Sequence, residues 1–198
     1  MDNGLKRLRK DALINGVLLG AVLLVLDIIA LYVLAYSQSI LLIMLSYLFV
    51  YLIIPVTAAV VLIKRLRKKI GGYWTFRQAT SGIFIVFLSA YLISSAGSFV
   101  FIKYVQPDIP LQAKDNFVNV LGNFFEKMDA DTDKTDDLVE NIETQFDAMA
   151  QTSIGSVVSN LLSSVIILFI TALIFAAVFK NAEVAPVNYT SDSQNPAP

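Results

Sequence analysis

The sequence predicts an all-α membrane protein, with four transmembrane helices and a helical extracytoplasmic insertion between the third and fourth. Three observations carry this reading. Hydrophobic residues make up 56% of the 198 residues and charged ones 16%, an apolar excess over the roughly 45–50% usual in soluble domains. The excess is gathered in four runs of 24 to 26 residues, at 12–36, 40–63, 79–102 and 154–179, which together carry a single charge, Asp27. Each run can cross a hydrocarbon core of roughly 30 Å at about 1.5 Å per residue. Finally, the runs lack the polar/apolar alternation of a barrel strand, which leaves helices as the way to satisfy their backbone in lipid. A soluble single domain is excluded. So is much chemistry: with no His and no Cys there is no imidazole acid/base catalysis, thiol nucleophile, disulfide or Cys/His zinc site.

The chain divides into a basic cytoplasmic tail (1–11), three membrane helices (12–102), an acidic extracytoplasmic helical segment (103–153), a fourth membrane helix (154–179) and a disordered cytoplasmic tail (180–198). Lys6, Arg7, Arg9 and Lys10 precede the first run, and Lys64, Arg65, Arg67, Lys68, Lys69 and Arg77 separate the second from the third. Short basic segments stay in the cytoplasm, so the chain is expected to begin and end inside. Residues 103–152, with four bases against eleven acids, fall outside. A basic start followed by an apolar run also describes a signal peptide, and Ala35-Tyr36-Ser37 is a weak cleavage match. The first run far exceeds the 7–15 residues of a signal core, so an uncleaved span is expected. The lack of Cys excludes a lipoprotein anchor.

In the first span Ala12, Gly16 and Gly20 recur every four residues, with Asp27 seven further on, and all project from one face. Ser37-Gln38-Ser39 leaves room only for a hairpin into the second span, which Pro55 should bend. Tyr36 and Tyr104 mark the outer boundary, and Tyr73 and Trp74 the inner, as an aromatic belt would. The third span repeats Gly82, Ser89 and Ala96 beside Ala90 and Gly97; the fourth has Gly155, Ser159 and Ser163 beside Asn160. Close helix packing explains these stripes.

Gly71 and Gly72 end the second helix, and Thr75-Phe76-Arg77-Gln78 has the form of a capping box that starts the third. The stretch Gly71-Gly72-Tyr73-Trp74-Thr75-Phe76-Arg77-Gln78-Ala79 resembles the small bacterial four-helix membrane proteins grouped as domain of unknown function 4199. Their pattern has two glycines, a hydroxyl residue, an aromatic, any residue, Gln or Glu, and Ala; Gly71, Gly72, Thr75, Phe76 and Gln78 are the matching positions. Pro107-Asp108 and an acidic helical segment before the last span are similar too, and the likeness covers roughly residues 10–180. It implies a bacterial inner membrane in an envelope with two membranes. It implies no activity and no catalytic residue.

In the acidic segment, Pro107 and Pro110 are expected to stop the third helix. Phe117, Leu121, Phe124 and Met128, then Leu138, Ile142, Phe146 and Met149, recur at helical spacing. These predict two amphipathic helices whose apolar faces cover each other or the mouth of the bundle. Acids at Asp129, Asp131, Asp133, Asp137 and Glu140 follow the ligand spacing of an EF-hand, but Lys134 stands where its turn needs Gly. The segment is read as an acidic linker in which Thr135 caps the second helix, and no metal site is assigned.

One candidate site remains. Asp27 lies about 15 Å below the outer end of its helix, Ser94 and Ser95 about 11–12 Å and Asn160 about 9 Å, so these four are expected to meet in the outer half of the bundle. With no Lys or Arg at that level, the acid is expected to be protonated and donating. The sequence holds no nucleotide loop, implies no cofactor, and explains its basic segments by orientation and anionic lipid rather than nucleic acid. The leading reading is a non-enzymatic accessory or scaffold subunit; the alternative is a small transporter or channel subunit coupled through Asp27, with an enzyme acting on membrane lipid a third. Partners are the bilayer, an envelope protein docking on residues 103–153, and a second copy of the chain.

Overall fold

The computed structural model describes residues 2–69, 72–128, 132–150 and 154–180, with the side chains of residues 2–5, 132–136, 147–150 and 154–160 outside that description. Its described residues form helices and no β-strand. In chain order these are α1 (Asp2–Tyr36), α2 (Ile40–Leu48), a π segment (Phe49–Ile53), α3 (Ile54–Lys69), α4 (Phe76–Val100), a second π segment (Phe101–Val105), α5 (Ile109–Lys127), α6 (Thr132–Ala150) and α7 (Ile154–Phe179). Among the described residues four stretches are long and apolar enough to cross a membrane: Lys6–Tyr36, Ile40–Lys69, Phe76–Val105 and Leu161–Phe179. The surface of these helices is studded with exposed Leu, Ile, Val and Phe, Leu18, Leu41, Ile166 and Val178 among them, as contact with acyl chains requires.

The helices run past the apolar segments into their basic flanks. α1 takes in the basic tail from Asp2 onward, and α3 ends in Arg67, Lys68 and Lys69, whose charges suit the negative pole of a helix. Lys69 reaches Asp11 of α1 at 3.4 Å. Between α1 and α2, Ser39 caps the new helix by accepting from the Leu42 amide, so the hairpin closes within three residues.

The disturbance expected at Pro55 takes the form of the first π segment. Proline has no N–H to donate, and its ring crowds the carbonyl one turn back, that of Tyr51. The helix widens over Phe49–Ile53, with the Ile54 amide donating to Phe49, and Thr57 Oγ1 donates to the Ile53 carbonyl at 2.7 Å. A second widened turn ends α4 ahead of Pro107, where the Gln106 amide donates to Phe101. Pro107 follows the end of the helix, as expected. Pro110 does not stop it: it lies in the first turn of α5, where a missing N–H costs nothing because that turn has no acceptor to offer.

α1 packs chiefly on α4, α4 on α7, and α5 on α1 and α6. The α1–α4 contact depends on glycine. A Cβ added at Gly16 would lie 2.6 Å from the Val86 carbonyl, and one at Gly20 would lie 2.7 Å from the Ala90 carbonyl, so only hydrogen fits between the two backbones. α7 is held on α4 by edge-on ring pairs, Phe84 with Phe169 at 5.6 Å and Phe87 with Phe175 at 5.3 Å.

α5 covers the end of the α1–α2 hairpin, burying Ile109, Ala113 and Val120 against Leu34, Ala35 and Ile43, with Phe117 and Phe146 of α6 packed alongside. This corrects the predicted stripe, since Phe124 and Met128 are exposed. The buried face is set by Asn116, whose Nδ2 donates to the carbonyls of Leu34 (2.8 Å) and Ser37 (2.7 Å), groups left without amide partners where α1 ends. α6 starts at Thr132, so Thr135 lies inside the helix rather than capping it. Helix thereby occupies the fourth to twelfth positions of the calcium pattern, where an EF-hand winds a loop around its ion. Asp129 and Asp131, like the tail beyond Lys180, lie outside the described residues.

Candidate intramembrane site

Because Gly16 and Gly20 bring α1 against α4, the residue seven beyond Gly20 meets the same neighbour. That residue is Asp27. Ser94, buried and one turn past Ala90, donates its hydroxyl to Asp27 Oδ2 at 2.5 Å. Ser98, a further turn along, donates to the same oxygen at 3.4 Å. The Tyr51 phenol, on the π segment ahead of Pro55, faces the carboxyl and interacts with it, and the Tyr47 ring leans on that of Tyr51 at 5.1 Å. At Oδ2 the acid accepts from both serines.

These groups line part of a cleft of about 720 Å³ to which all four membrane stretches contribute. Around the acid stand Tyr47, Tyr51, Tyr91, Ser94, Ser95 and Ser98; to one side the walls are Leu19, Leu23, Pro55, Val56, Ala59, Phe87, Ala90, Leu168, Thr171 and Phe175, and to the other Ile28, Leu31, Phe101 and Ile102. Among the described residues no Lys or Arg lines it. The size, the apolar walls and the few convergent polar groups are what a small-molecule site presents. Of the four predicted site residues, Asp27 and Ser94 are in direct contact, Ser95 lines the same cleft, and the Asn160 side chain lies outside the described residues.

Tyr51 and Ser98 belong to the site and were missed. Ser98 had a signal, its four-residue spacing from Ser94. Tyr51 had a weaker one: Tyr47 and Tyr51 are the two tyrosines of the second run, one turn apart. Asn15 was missed as well. It is buried in α1 and its Nδ2 has no hydrogen-bond partner among the described residues.

The motif after the basic loop is structural. Gly72 takes φ +85°, a conformation that favours glycine, and its amide returns to the Arg67 carbonyl at 3.0 Å. Thr75 and Gln78 form the predicted capping box at the start of α4, each side chain bonded to the other's backbone amide. Phe76, the first residue of α4, is exposed, and Gly71 lies outside the described residues. Trp74 corrects the aromatic belt. Tyr73 is exposed, but Trp74 is buried, and its Nε1 donates to the Phe179 carbonyl at 2.8 Å, satisfying an orphan acceptor at the end of α7.

Fold and site together define a multi-pass helical membrane protein with one intramembrane carboxyl group set in a cleft between its helices. The chain belongs to the family described as "Protein of unknown function (DUF4199)", whose model matches residues 11–181. Neither a curated protein nor a solved structure matches it.

Proposed function

We propose that the chain is a non-enzymatic protein of the bacterial inner membrane that serves as an accessory or scaffold subunit, with both termini in the cytoplasm and α5–α6 outside as its recognition segment. The observation that carries this is the pair of hydrogen bonds from Asn116 Nδ2 to the end of α1. It fastens α5 to the bundle while Leu111, Phe124 and Met128 stay exposed, which suits a platform for another envelope protein or a second copy. Affinity purification of the full chain from native membranes tests it. A stoichiometric partner is expected, retained by the parent and lost in Phe124→Asp/Met128→Asp; recovery of the chain alone, or a partner indifferent to those changes, contradicts it.

One observation favours a second reading, a small transporter or channel subunit: the convergence of Ser94, Ser98 and Tyr51 on Asp27 within the membrane. An intramembrane carboxyl group costs about 2.5–3.5 kcal/mol to insert even on a lenient scale and is characteristic of ion and proton paths. Flux of protons or sodium into proteoliposomes, abolished by Asp27→Asn, would replace the scaffold reading with this one.

A further inference from the structure

We propose that the cleft seats a long-chain amphiphile with an amino head, the amine at Asp27 and the chain along the apolar walls. This goes beyond either reading above.

The cleft is polar where Ser94, Ser98 and Tyr51 gather at Asp27 and apolar on either side, toward Leu19 on α1, Ala59 on α3 and Phe175 on α7 one way and toward Leu31 and Ile102 the other. From Asp27 to Leu19 the longer apolar wall runs about 12 Å along α1. A polar cluster with an apolar wall leading away from it matches a chain-bearing molecule rather than a compact one.

The head group follows from hydrogen-bond capacity. A carboxyl group keeps acceptor capacity in either protonation state. Two serine hydroxyls donate to Oδ2 and Tyr51 faces the group, which leaves acceptor capacity and, among the described residues, no Lys or Arg on the walls to fill it. An amino head donates to that capacity. A carboxylate or phosphate head would bring a second acceptor to an acceptor. The chain helices already cross lipid, so molecules of this class reach the cleft from its open side.

The test uses the full-length protein in detergent, with hexadecylamine as probe and hexadecanoic acid and hexadecane as controls, read by native mass spectrometry and by thermal unfolding. One equivalent of hexadecylamine is expected to bind and raise the melting temperature, with the controls giving no comparable shift. Asp27→Asn is expected to weaken binding at least tenfold, and Val56→Trp, which fills the lumen from α3, to weaken it while leaving the carboxyl in place. If Val56→Trp does not fold, Leu23→Phe serves instead. Equal binding of amine and acid, amine binding indifferent to Asp27→Asn, or stabilisation by sodium ions with no amphiphile bound would each overturn the proposal.

Discussion

At Asp27 the physical question is what the side chain contributes beyond a hydrogen bond. Replacement by Asn keeps an acceptor for Ser94 and Ser98 but removes the ionisable group, whereas Leu removes both. Asp27→Asn is expected to insert and unfold like the parent. Asp27→Leu should lose about 1–2 kcal/mol, since each of two hydrogen bonds contributes on the order of 0.5–1.5 kcal/mol; thermal unfolding in one detergent compares them. Asn15 is the opposite case. Its buried Nδ2 has no partner among the described residues, and an unmet buried donor costs about 1–3 kcal/mol, so Asn15→Leu, close to it in size, is expected to be at least as stable as the parent. A fall in melting temperature would show that the amide is bonded to something else. Asp27 and Ser94 were legible in the sequence because depth along a straight helix follows from residue number alone. Tyr51 was not, because its direction depends on a widened turn that a uniform 3.6-residue period does not describe. Asn116 was hidden for a related reason: a polar residue reads as the outer face of an amphipathic helix, and here it marks the inner one.

Among the elements, α1 and α4 depend most on sequence detail. At Gly20 a side chain would meet the Ala90 carbonyl and Ile93 Cβ, while at Gly122, within α5, an added Cβ would meet nothing within 4 Å. Gly20→Val is therefore expected to separate α1 from α4 and destabilise the bundle by more than about 2 kcal/mol, the range of strained or overpacked cores. Gly122→Ala should gain about 0.5–1 kcal/mol from helix propensity; denaturation of the two variants side by side checks both signs. Trp74 tests the end of α7. Trp74→Phe keeps an aromatic ring but removes the donor to Phe179, and a loss of about 1–2 kcal/mol is expected, with hydrogen exchange rising in the last turn of α7 before it rises elsewhere. Spacing revealed the small-residue faces and the capping box because each is local. The choice of Trp74 as a core anchor rather than a belt residue was not legible, since it is made by a contact with Phe179, 105 residues away.

For the whole molecule, number and length of helices were readable from where charge is absent, and the direction of crossing is expected from where positive charge collects. Shape was readable only as two alternatives, the outer helices covering each other or the mouth of the bundle: that α5 folds back over the α1–α2 hairpin follows from long-range contacts, which apolar periodicity cannot assign. The proposed four crossings and their direction would decide on which side of the membrane α5 and α6 lie and how deep Asp27 sits. With no native cysteine, single cysteines at Ser39, Thr132 and Ser193 can be labelled in intact spheroplasts with an impermeant thiol reagent. Labelling of Ser39→Cys and Thr132→Cys, with Ser193→Cys reacting only after the membrane is opened, is the expected result; labelling of Ser193→Cys in sealed spheroplasts, or protection of Thr132→Cys, would contradict the four-crossing arrangement with cytoplasmic ends.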